Sequence, residues 1–155
     1  MQSKLSLGTA QWGMDYGWAN ERGQPGFSEL EKMLEMALAN GVRHLDTAQC
    51  YGNAEGILGK LGVAKAGFKI NSKLNQIGCA ATTASILAQL DSSLRALKVE
   101  QIESLMVHNV QDLLEPNGDV IWGVFRSLLA EERVGKIGVS VYHPEELEDL
   151  LHLED

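Results

Sequence analysis

The sequence predicts an α/β protein built on a parallel sheet. Three observations carry that prediction. Short apolar runs recur along the chain, each is followed by a segment with apolar residues at helical spacing, and glycine, proline and asparagine mark the joins. Strands that alternate with amphipathic helices pair in parallel through right-handed crossovers.

Leu5 to Thr9 reads as the first strand, ended by Gly8-Thr9. Ala10 to Phe27 reads as a long loop holding Trp12, Tyr16 and Trp18, and loops of this length inside a compact domain are commonly functional. Ser28 and Glu31 have the spacing of a capping box, so a helix is expected from Ser28, with Leu30, Met33, Leu34, Ala37 and Leu38 inward. Asn40-Gly41 should stop it, with Gly41 in the left-handed conformation. Val42 to Ala48 is the second strand. Asn53 is placed to cap a short helix whose apolar face is Ala54, Ile57, Leu58 and Leu61.

Phe68 to Leu74 is the third strand, and Thr82 or Thr83 opens a helix with Ile86, Leu87, Leu90, Leu94 and Leu97 on one face. Ile102 to Val107 is the fourth strand, leading into His108-Asn109. After a loop at Pro116-Asn117-Gly118, a helix is expected from about Asp119 to Val134, with Ile121, Val124, Phe125, Leu128 and Leu129 inward. Ile137 to Val141 is the fifth strand. Pro144 suits the first turn of a last helix, with Leu147, Leu150 and Leu151 on its inner face.

This is β-α four times over, then a fifth strand and the start of a fifth helix. An open doubly wound sheet that binds a dinucleotide would usually carry a G-x-G-x-x-G turn, and none is present. In a (β/α)8 TIM barrel the strands' C-terminal ends build the active site. Asp46, Lys73 and His108 stand at or near such ends on consecutive strands, which favours the barrel. A whole barrel takes about 250 residues. The 155 residues here therefore read as a single domain spanning 1–155, a partial barrel of about four and a half βα units.

Composition sets outer limits. Hydrophobic residues make up 45% of the chain and charged residues 22%, the balance of a globular domain. The net charge of −8 argues against a nucleic-acid or anionic-membrane partner, both of which select Lys/Arg patches. No apolar run approaches the ~18 residues of a membrane span. The N-terminus leads straight into a strand without a signal-peptide core, and Cys50 and Cys79 form no C-x-x-C, so a cytoplasmic, reduced protein is expected. No metal site is expected, because His44, Cys50, Cys79 and His143 meet no ligand spacing.

Asp46, Tyr51, Lys73 and His108 carry the chemistry. A free phenol titrates near ~10, and an adjacent ammonium is expected to lower that value. A carboxylate beside the lysine keeps the ammonium charged and placed, while an imidazole on the next strand can hydrogen-bond a substrate oxygen. Such a set polarises a carbonyl and protonates it as a hydride reaches the carbon. Each residue alone has a plainer reading as a cap, a packed ring or a surface lysine; their joint occurrence on successive βα units favours the catalytic one.

The stretch from Gly41 to Gly59 resembles the signature of the aldo/keto reductase family: G-x-R-x-x-D-T-A, then Tyr51-Gly52, then E-x-x-x-G from Glu55 to Gly59. Lys73 within Asn71–Leu74, His108 within Leu105–His108, Leu7-Gly8-Thr9 and Gly138-Val139-Ser140 extend the resemblance along the whole chain. Leu7 to Gly13 with Tyr16-Gly17 looks most like members associated with bacterial surface-polysaccharide synthesis.

The resemblance implies a (β/α)8 barrel, NADP(H) as cofactor and a small-molecule carbonyl substrate. It implies Tyr51 as general acid, Lys73 and Asp46 as its tuning pair, and His108 as the group that orients the carbonyl. Gly8, Thr9, Gln11, Asp46 and Ser140 would line the cofactor, although Val141 replaces the asparagine that many members carry after that serine. Trp12, Trp18 and Asn109 are candidates to meet the substrate, the two indoles by stacking on a sugar-like ring. Most contacts to the cofactor's phosphates and adenine are expected from later strands, so this polypeptide alone should have little reductase activity. Two alternatives come from another class: a non-catalytic binding or regulatory barrel subunit, and a half-barrel that self-associates or assembles with a partner through unpaired edges.

Overall fold

A computed structural model describes residues 3–78 and 80–151, so Cys79 lies outside the described residues. Five strands form one sheet: β1 (Ser6–Gly8), β2 (His44–Asp46), β3 (Lys69–Leu74), β4 (Ser104–Val107) and β5 (Ile137–Val139). Every neighbouring pair is parallel, and the spatial order is β1-β2-β3-β4-β5. A doubly wound sheet reverses its strand order at a switch point. This sheet advances one strand at a time without reversal, as a barrel wall does, which decides between the two closures in favour of the (β/α)8 type.

Two helices lie between β1 and β2: α1 (Ala10–Gly13) and α2 (Phe27–Ala39). Then come α3 (Ala54–Leu61), α4 (Thr83–Leu97), α5 (Gln111–Leu114), α6 (Gly118–Ala130) and α7 (Pro144–Leu151). The core lies between the sheet's outer face and the helices. Leu45, Ile70, Leu74, Leu105 and Val107 project from the strands onto Leu30, Leu58, Ile86, Leu90, Phe125 and Leu128, all buried. Alternation then turns His44, Asp46, Asn71, Lys73, Ser104 and Met106 to the barrel-interior face, where register aligns Asp46 with Asn71 and Lys73 with Met106.

Several local expectations change. Helix α2 begins at Phe27, one residue early, with Gly26 at its N-cap and no side-chain cap bond. The Gly26 carbonyl receives the N–H groups of Glu29 and Leu30, so Ser28 stands inside the first turn. The expected loop from Ala10 contains the single helical turn α1. Met33 and Leu129 are more than a third exposed, because the helix face in contact with the sheet is narrower than the apolar stripe in the sequence. Helix α6 stops at Ala130, four residues short of Val134, where Glu132 adopts a left-handed φ of 56°. No residue of α7 is buried; Leu147 and Leu151 line a groove of about 170 Å³ shared with Leu113, Trp122 and Val139. Other signals hold: Thr82 and Ser85 form a reciprocal capping box on α4, and Gly41 takes φ 75° after α2. No helix among the described residues is long and apolar enough to cross a membrane.

Candidate active site

The site is assembled at the C-terminal ends of β2, β3 and β4. Asp46 is the last residue of β2 and Lys73 the penultimate residue of β3. Both point to the interior face. Lys73 Nζ donates to Asp46 Oδ1 at 2.8 Å and Oδ2 at 2.7 Å, and to the Thr47 carbonyl at 3.2 Å. The lysine side chain is only 7% exposed and the aspartate 35%, so the ammonium sits deep and the carboxylate reaches outward.

Tyr51 lies on the turn between β2 and α3. Its ring centre is 5.3 Å from Lys73 Nζ. His108, just past β4, meets the same ring edge-on at 5.9 Å with an interplanar angle of 87°. The four side chains singled out in the sequence therefore converge on one place. The Tyr51 turn is fixed by contact with α1, where the Asn53 N–H donates to the Gly13 carbonyl at 3.1 Å. Gly52 takes φ 57°, and a Cβ there would lie 2.2 Å from the Gly13 oxygen. Two glycines thus let the turn and the helix touch backbone to backbone.

The electrostatics of the tyrosine differ from the sequence expectation. Burial pushes the Tyr51 phenol up to about 12, and the Asp46 carboxylate, Cys50 and the phenols of Tyr142 and Tyr16 add to the rise. The downward pull expected from Lys73 is not among the causes of the shift, and both oxygens of Asp46 engage that ammonium. His108 is held below its ordinary value, first by burial and then by the charge of Lys73, with Asp46 opposing. Its imidazole is therefore neutral at pH 7.

The remaining candidates are placed unequally. Gly8 ends β1 with no atom within 4 Å of where a Cβ would stand, so the space over it is open. Ser140 follows β5, its N–H donating to the Val107 carbonyl at 2.9 Å, and it is partly exposed. Thr9 is fully buried, with its hydroxyl donating to the Asp46 carbonyl at 3.1 Å. Gln11 uses its amide N–H on the Gly23 carbonyl at 3.1 Å. Trp12 is 3% exposed and belongs to the core, so its indole face is covered by packing and not offered to a ligand. Trp18 is fully exposed. Asn109 Oδ1 receives the Gln111 N–H at 3.2 Å and so shapes the turn after β4.

Three features escaped the sequence reading. Cys50 Sγ lies 3.4 Å from His108 Nδ1, and burial raises its thiol. Asp112, 2% exposed, accepts the N–H groups of Ile77 at 2.9 Å and Gly78 at 3.1 Å, tying α5 to the loop after β3. Gln49, Ser93, Glu55 and Ser72 form a polar seam behind the site. Each joins residues far apart in the chain, so no local spacing betrays it.

The aldo/keto reductase family model matches residues 4–155. The chain belongs to the aldo/keto reductase family. Glyoxal reductase of Bacillus subtilis is 30% identical to this reductase-family chain over 131 residues, covering 80% of it and 44% of that protein. A Pseudomonas aeruginosa structure assigned as an aldo-keto reductase superposes with a TM-score of 0.75 at 30% identity, over 90% of this chain and 56% of that one. An aldo-keto reductase of Klebsiella pneumoniae, solved in complex with NADPH, shares the fold with a TM-score of 0.71 at 20% identity, over 95% of this chain and 48% of that one. The chain spans less than half the length of the curated relatives it matches.

Gly8 leaves open space beside Asp46, its register partner on β2, whereas Ser140 follows β5 at the opposite edge of the sheet. Thr9 is buried and supports the Asp46 backbone through its hydroxyl. Among the described residues no cluster of three or more His, Cys, Asp or Glu could hold a metal ion.

Proposed function

We propose that this chain is the catalytic part of an NADPH-dependent reductase that converts a small-molecule carbonyl to an alcohol, with Tyr51 as the general acid. The observation that carries the reading is the Lys73–Asp46 ion pair set against the Tyr51 ring, with His108 on the ring's edge. NADPH, when bound over Gly8, Asp46 and Ser140, supplies the hydride.

The residues then divide the work. His108, neutral at pH 7, donates an N–H to the carbonyl oxygen and aligns it with Tyr51. Negative charge grows on that oxygen as the carbon is reduced, and the buried ammonium stabilises it. Tyr51 passes its proton to the oxygen, and the alcohol is complete. The transfer is downhill even with the phenol raised to about 12, because an alkoxide is a much stronger base than a phenolate. Asp46 holds the Lys73 ammonium in place with both carboxylate oxygens. The phenolate regains its proton from solvent.

A sugar-like substrate is favoured by the exposed Trp18 and Tyr16 on the loop beside Gln11. Stacking of ring faces on such side chains suits polyhydroxylated or aromatic carbonyl compounds.

The test is Tyr51→Phe in the protein expressed from its complete reading frame, with NADPH consumption followed on a small aldehyde. Turnover should fall by about 10²–10⁴-fold with the far-ultraviolet spectrum unchanged. Equal turnover in the two proteins would remove Tyr51 from the reaction. No turnover in either protein would favour the binding-subunit reading.

A further inference from the structure

We infer that Gln49 is a positioning residue, the strut that fixes the Tyr51 turn against the Lys73 strand. The inference rests on Tyr51 being the acid, and it concerns what holds that acid in place.

Gln49 sits two residues before Tyr51, and every polar group of its side chain and its backbone N–H is committed. The backbone N–H donates to the carbonyl of Lys73 itself at 3.1 Å. The side-chain Oε1 receives the N–H of Asn75, two residues beyond Lys73, at 3.1 Å. The Nε2 donates to the Gln89 carbonyl at 2.6 Å and to Ser93 Oγ at 2.8 Å, both on α4. One amide therefore spans the β2–α3 turn, the end of β3 and the middle of α4.

The bonds continue behind the strand. Ser93, fully buried, accepts from Gln49 at 2.8 Å. Glu55 of α3 receives the hydroxyl of Ser72 at 2.6 Å, and Ser72 precedes Lys73 on β3. The Gln49–Ser93 bond and the Ser72–Glu55 bond thus lie behind the two strands, one starting two residues from Tyr51 and the other one residue from Lys73. Buried, satisfied networks of this kind resist displacement, because any shift leaves a polar group without a partner. Small errors in placing an acid matter, since a shift of about 1 Å can lower a rate by about 10²-fold.

The experiment replaces Gln49 by Met, of similar volume but without amide bonds. Tyr51 is followed by NMR of ring-labelled tyrosine, and turnover is measured alongside. In Gln49→Met the Tyr51 titration should move down from about 12 by at least one pH unit as the turn loosens and the ring gains water. Turnover should fall by about 10-fold with KM changed less than about 2-fold. Ser93→Ala, which removes one bond, should move both readouts in the same direction by less, and serves if Gln49→Met does not fold. Arg133→Ala, which breaks a pair with Asp91 away from the site, should lower stability and leave the Tyr51 titration where it is. An unchanged Tyr51 titration in folded Gln49→Met and Ser93→Ala overturns the strut, as does an equal shift in Arg133→Ala. Full turnover in Tyr51→Phe would instead overturn the acid and leave the titration result standing.

Discussion

Lys73 Nζ lies within 2.8 Å of both carboxylate oxygens of Asp46, yet the two side chains differ fivefold in exposure, 7% against 35%. The asymmetry matters because the cost of breaking an ion pair is set by the partner left behind. Asp46→Asn strands a buried ammonium. Lys73→Met leaves a carboxylate that can turn to water. Asp46→Asn should therefore lose about 3 kcal/mol of stability and Lys73→Met about 1 kcal/mol or less, as read from urea midpoints at pH 7. Both should abolish most turnover, so stability and activity separate in the lysine variant.

The pH dependence of stability carries two signatures of the site. The Tyr51 phenol is raised in the fold, so its contribution is fully present below pH 10 and is lost as pH rises through about 12. Tyr51→Phe should flatten the alkaline side of the unfolding profile. His108 is depressed, so its contribution is present above its ordinary value of 6.5 and is lost as pH falls below that. His108→Gln should remove that acid-side slope between about pH 7.5 and 5.5. Guanidinium unfolding at half-unit steps measures both, and slopes that survive the substitutions would assign them to other groups.

Much of this arrangement was legible in the sequence because it is periodic or local. The alternation of apolar runs and helical faces gave the barrel wall, and strand ends could be read from where Asp46, Lys73 and His108 fell. What could not be read depends on depth and on distant pairing. Met33 shares the spacing of buried Leu30 and Leu34 but is exposed, since periodicity does not report which part of a stripe is covered. The direction of the Tyr51 shift needed the extent of burial and the two-oxygen grip of Asp46 on Lys73. Gln49 and Ser93 are 44 positions apart and carry no motif.

Asp112 should matter more than its place in a four-residue helix suggests. Its two oxygens hold the Ile77 and Gly78 N–H groups, and the residue is 2% exposed. Asp112→Ala leaves those donors without their acceptor, at a cost of about 2–3 kcal/mol. Asp112→Asn keeps one acceptor oxygen and should lose about half as much. Amide exchange at Ile77 and Gly78 is the direct measurement, and protection there should drop in both variants.

The closest backbone approach in the site gives the sharpest contrast among glycine substitutions. Gly52 and Gly62 both adopt positive φ, 57° and 64°. A Cβ on Gly62 meets nothing within 4 Å, so Gly62→Ala should cost only the conformational penalty, about 1–2 kcal/mol. A Cβ on Gly52 would stand 2.2 Å from the Gly13 oxygen, a contact that backbone must move to relieve. Gly13→Ala has no left-handed penalty but would place its Cβ 1.9 Å from the Tyr51 carbonyl oxygen. Gly62→Ala should therefore leave turnover near normal. Gly13→Ala and Gly52→Ala should each displace the Tyr51 turn and lower kcat by about 10-fold or more. If Gly13→Ala lowers stability while the Tyr51 ring keeps its titration and kcat its value, then α1 supports the fold alone and does not set the acid.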